Sequence, residues 1–596
     1  MRPESPSKDH LPDEFTAESA SRYRVGRARP GSFGRGSGRR GHTGKASWHP
    51  EADLVVQHAR VYTVALTIDE VKQGKREFPI IDDGGVAVKD GKIVFVGSAR
   101  DAQAFIGGET EVIDASGKTL VPGFIDSHLH ATEVGMYLKN LDFTRTASLD
   151  DMRALVAERA CEKEPGEWLL GYAWNELAWG EGAAMPTRRD VDDLSPANPC
   201  YFVHISHHVA LANKAALDAA GITRDTLDPA AGRIGRYPDG EPNGLLFEPS
   251  AMELVEAVAP KPADEDIVDA IKQAGKLLNS LGITAVIDPN HERLAKQYVI
   301  ARDRGELTYR ASLMLYLNAG EGDADRQCAL MESEMAVTGF GDGLVSVNGV
   351  KILDDGIPAV FTAAMRDPYK LDPSTRGTSI WSQEDLVKMV RKAHELGWQV
   401  GVHAIGDRAA DMVLAAYKDA DGISPAFDRR HYLIHCPFPH EDMFDAMREL
   451  NIGVPVQPTI AAEMGEARML HERLARNKDG AGIFLKNGII AGGSSDAPVV
   501  SPDVIRGMYY AVTRKDAVGD FAFSEESKVS PVEALIMWTK NSAFFSHDDD
   551  KMGSIEVGNY GDLVILDRDF IAGEPEDIPC TKVEKTILGG RIVYSA

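Results

Sequence analysis

Cysteine is scarce in this chain of 596 residues, with five in all: Cys161, Cys200, Cys328, Cys436 and Cys580. They are scattered, odd in number and form no C-x-x-C pair, a pattern of reduced thiols in a cytoplasmic protein rather than of a disulfide framework. Positive charge is also short. Against 91 Asp and Glu stand 65 Lys and Arg, a net charge of −26, which argues against general affinity for nucleic acid or an anionic membrane surface. No apolar run reaches the ~18 residues of a membrane span. A secretory signal is not expected either, since Arg39–Arg40 leads into Gly, His and Thr rather than an apolar stretch. What remains, 43% apolar and 26% charged, is ordinary for a globular protein.

Residues 1–50 are rich in Arg, Gly, Ser and Pro and poor in large apolar side chains. Such a segment buries too little to offset its ordering entropy, so a flexible basic tail is expected. Its GRRGHTGKA stretch has the wrong glycine spacing for a phosphate loop and Ala46 where Ser or Thr would hold magnesium. From Ala52 to about 120, short β-rich runs alternate with turn signals such as Lys89–Asp90–Gly91. The same texture returns at 548–596, so a β-sandwich built from both termini is expected. Between them, at 121–547, apolar runs alternate with amphipathic helical segments such as Gln383 to Leu396 and His440 to Leu450. That alternation predicts an α/β fold, a (β/α)8 TIM-like barrel. Residues from about 140 to 270 exceed what one or two βα units need and are read as a large inserted cap.

Barrel sites sit where strands end at their C-terminal edge. The run LVPGFIDSHLH (120–130) ends in His128 and His130; if Phe124 to His130 is a strand, its period of two places Asp126, His128 and His130 on one face. Two imidazoles so placed can share a metal ion. Four further runs end in Lys351, His403, His435 and Asp496. An ammonium cannot ligate, but a buried neutral lysine beside dications can take up carbon dioxide and become a bridging carbamate. An ion pair with Asp354 or Asp355, or a Schiff-base lysine, are the alternatives for Lys351. His431 shares a face with His435, which lies nearer the strand end. Asp496, before Ala497–Pro498, is either a turn residue or a metal-binding general base. Trp168, Trp174 and Trp179 suit a core more readily than an aromatic wall and are left out of the site.

The ordered set PGFIDSHLH, VKILDDG, VHAIGDRA, RHYLIHC and SSDAPV resembles the metal-dependent amidohydrolase superfamily, in particular its YtcJ-like branch, amidohydrolase family 3. The resemblance runs from about Ala52 to the end. It implies that His128 and His130 hold a first metal, His403 and His435 a second, Lys351 a bridge as carbamate, and Asp496 both ligand and base. One or two divalent ions are implied, Zn2+ first among them. His208 and Asn213 in HHVALANKAAL, with Gly244 and Glu248 in NGLLFE, also match and are read as substrate contacts or packing residues. Ile434 stands where relatives commonly carry Glu, and DDGIPAVFTAA after Lys351 departs from the usual Gly-Ser-rich version.

The expected activity is hydrolysis of a non-peptide C–N bond in a small amide, carbamate, urea or cyclic amide by metal-activated water. A heterocycle deaminase, a lysine-dependent aldolase and a catalytically dead assembly module are the competitors. The partners expected are a small-molecule substrate and copies of the same chain, as a dimer or tetramer, with no nucleic acid and no membrane.

Overall fold

The computed structural model describes residues 51–596, apart from 181, 230–231, 291–293, 318–322, 335–336, 424–427, 465–469 and 518–522. The basic tail expected at 1–50 lies outside the described residues.

Strands from both ends of the chain meet in one eight-stranded sheet. The N-terminal run Leu54–Tyr62 pairs with Ile80–Lys89, which turns back into Lys92–Ser98. Asp90 and Gly91 at that turn have φ of 49° and 76°, the left-handed pair that a tight hairpin requires. Thr119–Pro122 then pairs antiparallel with Leu563–Leu566, and Val583–Leu588 and Arg591–Ser595 complete the sheet. Leu54, Val56, Val61, Val88, Leu120, Leu563 and Ile565 fill a separate core beneath it.

A single residue, Gly123, separates this sheet from the next. Phe124–Asp126 (β1) joins a six-stranded parallel sheet with Ile283–Asn290 (β2), Arg310–Leu317 (β3), Val345–Leu353 (β4), Gln399–Ala404 (β5) and Tyr432–His435 (β6). Val454–Val456 (β7) and Ala491–Gly493 (β8) form a parallel pair. The pair is tied to both edges of the six: Tyr432 bridges Gly453, and Ser127 N donates to Gly493 O at 3.1 Å. Gly123 is needed where it stands, because a Cβ there would collide with the buried Thr284 side chain.

Helices follow the strands as the periodicity predicts. Gln383–Leu396 starts on Ser382, whose hydroxyl accepts from Asp385 N, and stops at Gly397 with φ 93°. Leu386, Met389, Val390 and Ala393 are its buried face, spaced by three and four. Residues 141–247, between β1 and β2, carry their own six-stranded sheet, with Trp174, Phe202 and Phe143 in its core. No helix among the described residues is long and apolar enough to cross a membrane.

Candidate metal centre

The alternating strand expected over Phe124 to His130 stops early. β1 ends at Asp126, and His128 and His130 sit on the loop beyond it. Backbone bonds hold that loop: Leu129 N donates to Ile287 O and His130 N to Ala497 O, while Asp496 N donates to His128 O at 2.8 Å. The loop after β1 is thus clamped to the loop after β8. Asp126 does not share the histidines' task. Its carboxylate accepts from His128 N and from Ser495 N and Oγ, and with burial pushing its pKa up to about 7 it serves as the pin between the two loops.

On this clamp three donors converge. His128 Nε2 lies 3.3 Å and His130 Nε2 3.4 Å from Asp496 Oδ1, and one donor atom of each residue falls within 4.8 Å of the others. In a tetrahedral site with bonds of ~2.1 Å, neighbouring ligand atoms are ~3.4 Å apart, so the spacing fits a divalent ion. His130 Nδ1 donates to Pro289 O at 3.2 Å, which turns Nε2 toward Asp496 as the nitrogen that would meet a metal. Asp496 has φ 60° and His435 φ 76°, strained backbone of the kind that gathers at functional sites.

Lys351 lies in β4, with Nζ 3.3 Å from His128 Nε2. Among the described residues, the ion pairs made do not include one from Lys351 to Asp354 or Asp355. Burial pushes its ammonium down to about 7, against the pull of Asp496. His403, in β5, and His435, the last residue of β6, stand with ring centroids 4.5 Å apart. His403 Nε2 is buried with no hydrogen-bond partner among the described residues, 3.7 Å from Asp355 Oδ1. His435 Nδ1 faces Gln457 Oε1 at 3.0 Å, and Gln457 Nε2 donates to Pro455 O and Ser494 Oγ. The amide oxygen is therefore an acceptor, and His435 must donate from Nδ1 and keep Nε2 free of a proton. Burial holds His128 and His403 well below the usual imidazole range and brings His435 to about 4. Burial also opposes the His130 cation, but Asp496 and Glu133 hold that ring up to about 9. For Asp496, burial is outweighed by its hydrogen bonds to His128 and His130, and the carboxyl stays well below its ordinary value.

All six residues line one cavity of about 670 Å³, which His208 also lines. His208 Nδ1 donates to Glu248 Oε2 at 2.7 Å; Glu248, with φ 67°, stands behind it rather than on the cavity wall. Asn213 goes elsewhere. It caps helix Lys214–Ala219, its Oδ1 accepting from Ala216 N and Cys200 N and its Nδ2 donating to Ser195 O and Asn198 O. Its amide is used up by backbone, the structural reason it is not a cavity residue. His431 is likewise a packing residue, accepting from Val400 N and paired with His394. Trp174 lies in the core of the inserted sheet, and none of the three tryptophans lines the cavity.

Gln457 escaped the sequence reading, and Asp355 entered it only as an ion-pair partner for Lys351. Asp355 accepts from Ala364, Ile405 and Gly406 N, at 2.7–2.9 Å, and so fastens the loop after β5 to the segment after β4. Its place next to Asp354 gave no sign of which carboxylate does this.

The fold is that of solved metal-dependent hydrolases. An uncharacterised metal-dependent hydrolase from Pyrococcus horikoshii superposes with a TM-score of 0.68 at 22% identity, over 88% of this chain and 99% of that one. The Amidohydrolase family pattern matches residues 111–594, and the chain belongs to that family. It is 31% identical to the putative amidohydrolase YtcJ of Bacillus subtilis, over 85% of this chain and 95% of the relative. It is 28% identical to the N-substituted formamide deformylase of Arthrobacter pascens, over 85% and 94% of the two.

Proposed function

We propose that this amidohydrolase cleaves a C–N bond in a small, non-peptide amide, carbamate, urea or cyclic amide. The observation that carries the reading is the convergence of His128, His130 and Asp496 on one point of a cavity that Lys351, His403 and His435 also line. His128, His130 and Asp496 would hold one divalent ion, Zn2+ first among candidates, and His403 and His435 a second. Lys351, carbamylated, would supply the bridging carboxylate; burial favours its neutral amine, the form that reacts with carbon dioxide. Metal ions bound there supply Lewis acidity, lowering the pKa of water to ~7 and polarising a carbonyl oxygen.

The protein's own groups do the rest. Asp496, kept ionised, takes a proton from the attacking water and returns it to the departing nitrogen. His208, tethered through Nδ1 to Glu248, presents its remaining ring nitrogen for the oxyanion. The architecture in this reading is a (β/α)8 barrel with a composite β-sandwich and an inserted cap, assembled as a homo-oligomer. A heterocycle deaminase would have no use for Lys351, whose amine sits 3.3 Å from His128 Nε2.

Elemental analysis of the purified protein beside a chelator-sensitive screen of N-acyl amines, cyclic amides and carbamates tests the reading. One or two divalent ions per chain and release of an amine are expected. Metal-free protein that turns over these amides, or metal-loaded protein that releases only ammonia from heterocycles, would overturn it.

A further inference from the structure

The cavity at the metal centre has two lobes of very different size. Ser206, His208, His403, His435, Asp496 and Val499 line both, so the lobes meet at the reacting position. The larger, about 670 Å³, extends past Glu133, Glu253, Glu256 and Lys261. The smaller, about 40 Å³, lies against Ile357, Ile405, Pro437, Ile460 and Met464. It has room for roughly three water-sized groups.

The small lobe is firmly built. Ile460 and Met464 are one turn apart on helix Pro458–Glu463 and its C-cap, and so share a face. That helix begins directly after Gln457, which orients His435. Two charged groups of the lining pair with each other: Lys478 Nζ donates to Asp479 Oδ2 at 3.0 Å, and both side chains are buried. The Arg514 guanidinium packs behind them, donating to the Asp479 carbonyl at 3.3 Å.

We infer that the small lobe receives the acyl part of the substrate and the large lobe its amine part, so that the substrates are short-chain acyl amides of larger amines. This rests on the hydrolytic reading above. Cleavage joins water oxygen to the carbonyl carbon and breaks its bond to nitrogen, leaving a carboxylate and an amine. The amine is protonated near neutral pH and departs past Glu133, Glu253 and Glu256. The small lobe offers a departing ammonium no such path, because Asp479 is already paired with Lys478. Apolar walls at Ile460 and Met464 set the length of acyl chain that fits.

The test uses full-length, metal-loaded protein and the formyl, acetyl, butanoyl and hexanoyl amides of 2-phenylethylamine, with the acetamides of methylamine and hexylamine as the converse series. kcat/KM is expected to fall at least tenfold from acetyl to hexanoyl and to change less than threefold across the amines. Met464→Ala and Ile460→Ala should each raise the hexanoyl-to-acetyl ratio at least tenfold, mostly through KM. Indifference to acyl length, or variants that shift amine preference instead, would overturn the assignment while leaving the hydrolytic reading intact. If none of the series is cleaved, the hydrolytic reading falls, and calorimetry with acetate and hexanoate still judges the lobe. Acetate binding at least tenfold tighter, with the gap closing in Met464→Ala, supports its selectivity, and equal affinities overturn it.

Discussion

Asp496 carries two duties that a single substitution separates. Asp496→Asn keeps an oxygen for the metal but removes the basic carboxylate, so turnover should fall by about 10²–10⁴-fold while elemental analysis finds metal near the wild-type level. Metal lost together with activity would make Asp496 chiefly a ligand. Lys351 gives a prediction with a definite sign. With its pKa lowered to about 7, roughly nine-tenths of the side chain is ammonium at pH 6 and roughly nine-tenths amine at pH 8. Only the amine takes up carbon dioxide, so added bicarbonate should raise activity of the reconstituted protein at pH 8 and not at pH 6. Lys351→Arg should show no response, and borohydride trapping of substrate on Lys351 would sink the carbamate. The candidate residues were legible because each closes an apolar run. Asn213 stayed open between substrate contact and packing because its sequence neighbourhood says nothing of which backbone groups will need its amide. Gln457 was invisible for the complementary reason: its role depends on β7 ending beside β6, a contact between segments some twenty residues apart.

At the scale of elements, strand–helix alternation carried most of the fold, since helix and strand periods differ and each leaves its own apolar spacing. The short strands were harder. β1 and β8 have three residues each, and whether His128 stood in a strand or past it depended on loop bonds that no local pattern encodes. One junction ties the two sheets. Arg310, opening β3, makes paired bonds of 2.6 and 2.8 Å to Asp562, whose Oδ1 also accepts from Gly589 N and whose carbonyl accepts from Gly123 N. The Arg310 guanidinium also lies 3.6 Å from the Tyr560 ring centroid. Asp562→Ala would strand a buried cation, and urea unfolding should show a loss of about 3–5 kcal/mol. A change below 1 kcal/mol would mean that Tyr560 and water suffice for Arg310.

For the molecule as a whole, the N- and C-terminal β texture pointed to one composite unit, and the observed sheet pairs Thr119–Pro122 with Leu563–Leu566. Residues 141–247 hold a sheet and core of their own, so apolar runs there belong to that sheet and those on either side of it to the parallel sheet. Composition could not distinguish the two, because both are strands buried on two faces.

The pairing of Thr119–Pro122 with Leu563–Leu566 also sets a schedule for synthesis. A ribosome must add roughly 440 residues after the first strand before its partner exists, about 20–90 s at ordinary elongation rates. Throughout that interval the Thr119–Pro122 edge is an unpaired template open to other chains. Nascent chains arrested before residue 563 should therefore be cut by protease within the 54–122 segment and be held by chaperones. Chains extended through residue 595 and released should resist both, and equal resistance in the arrested chains would show that the N-terminal strands settle without their distant partner.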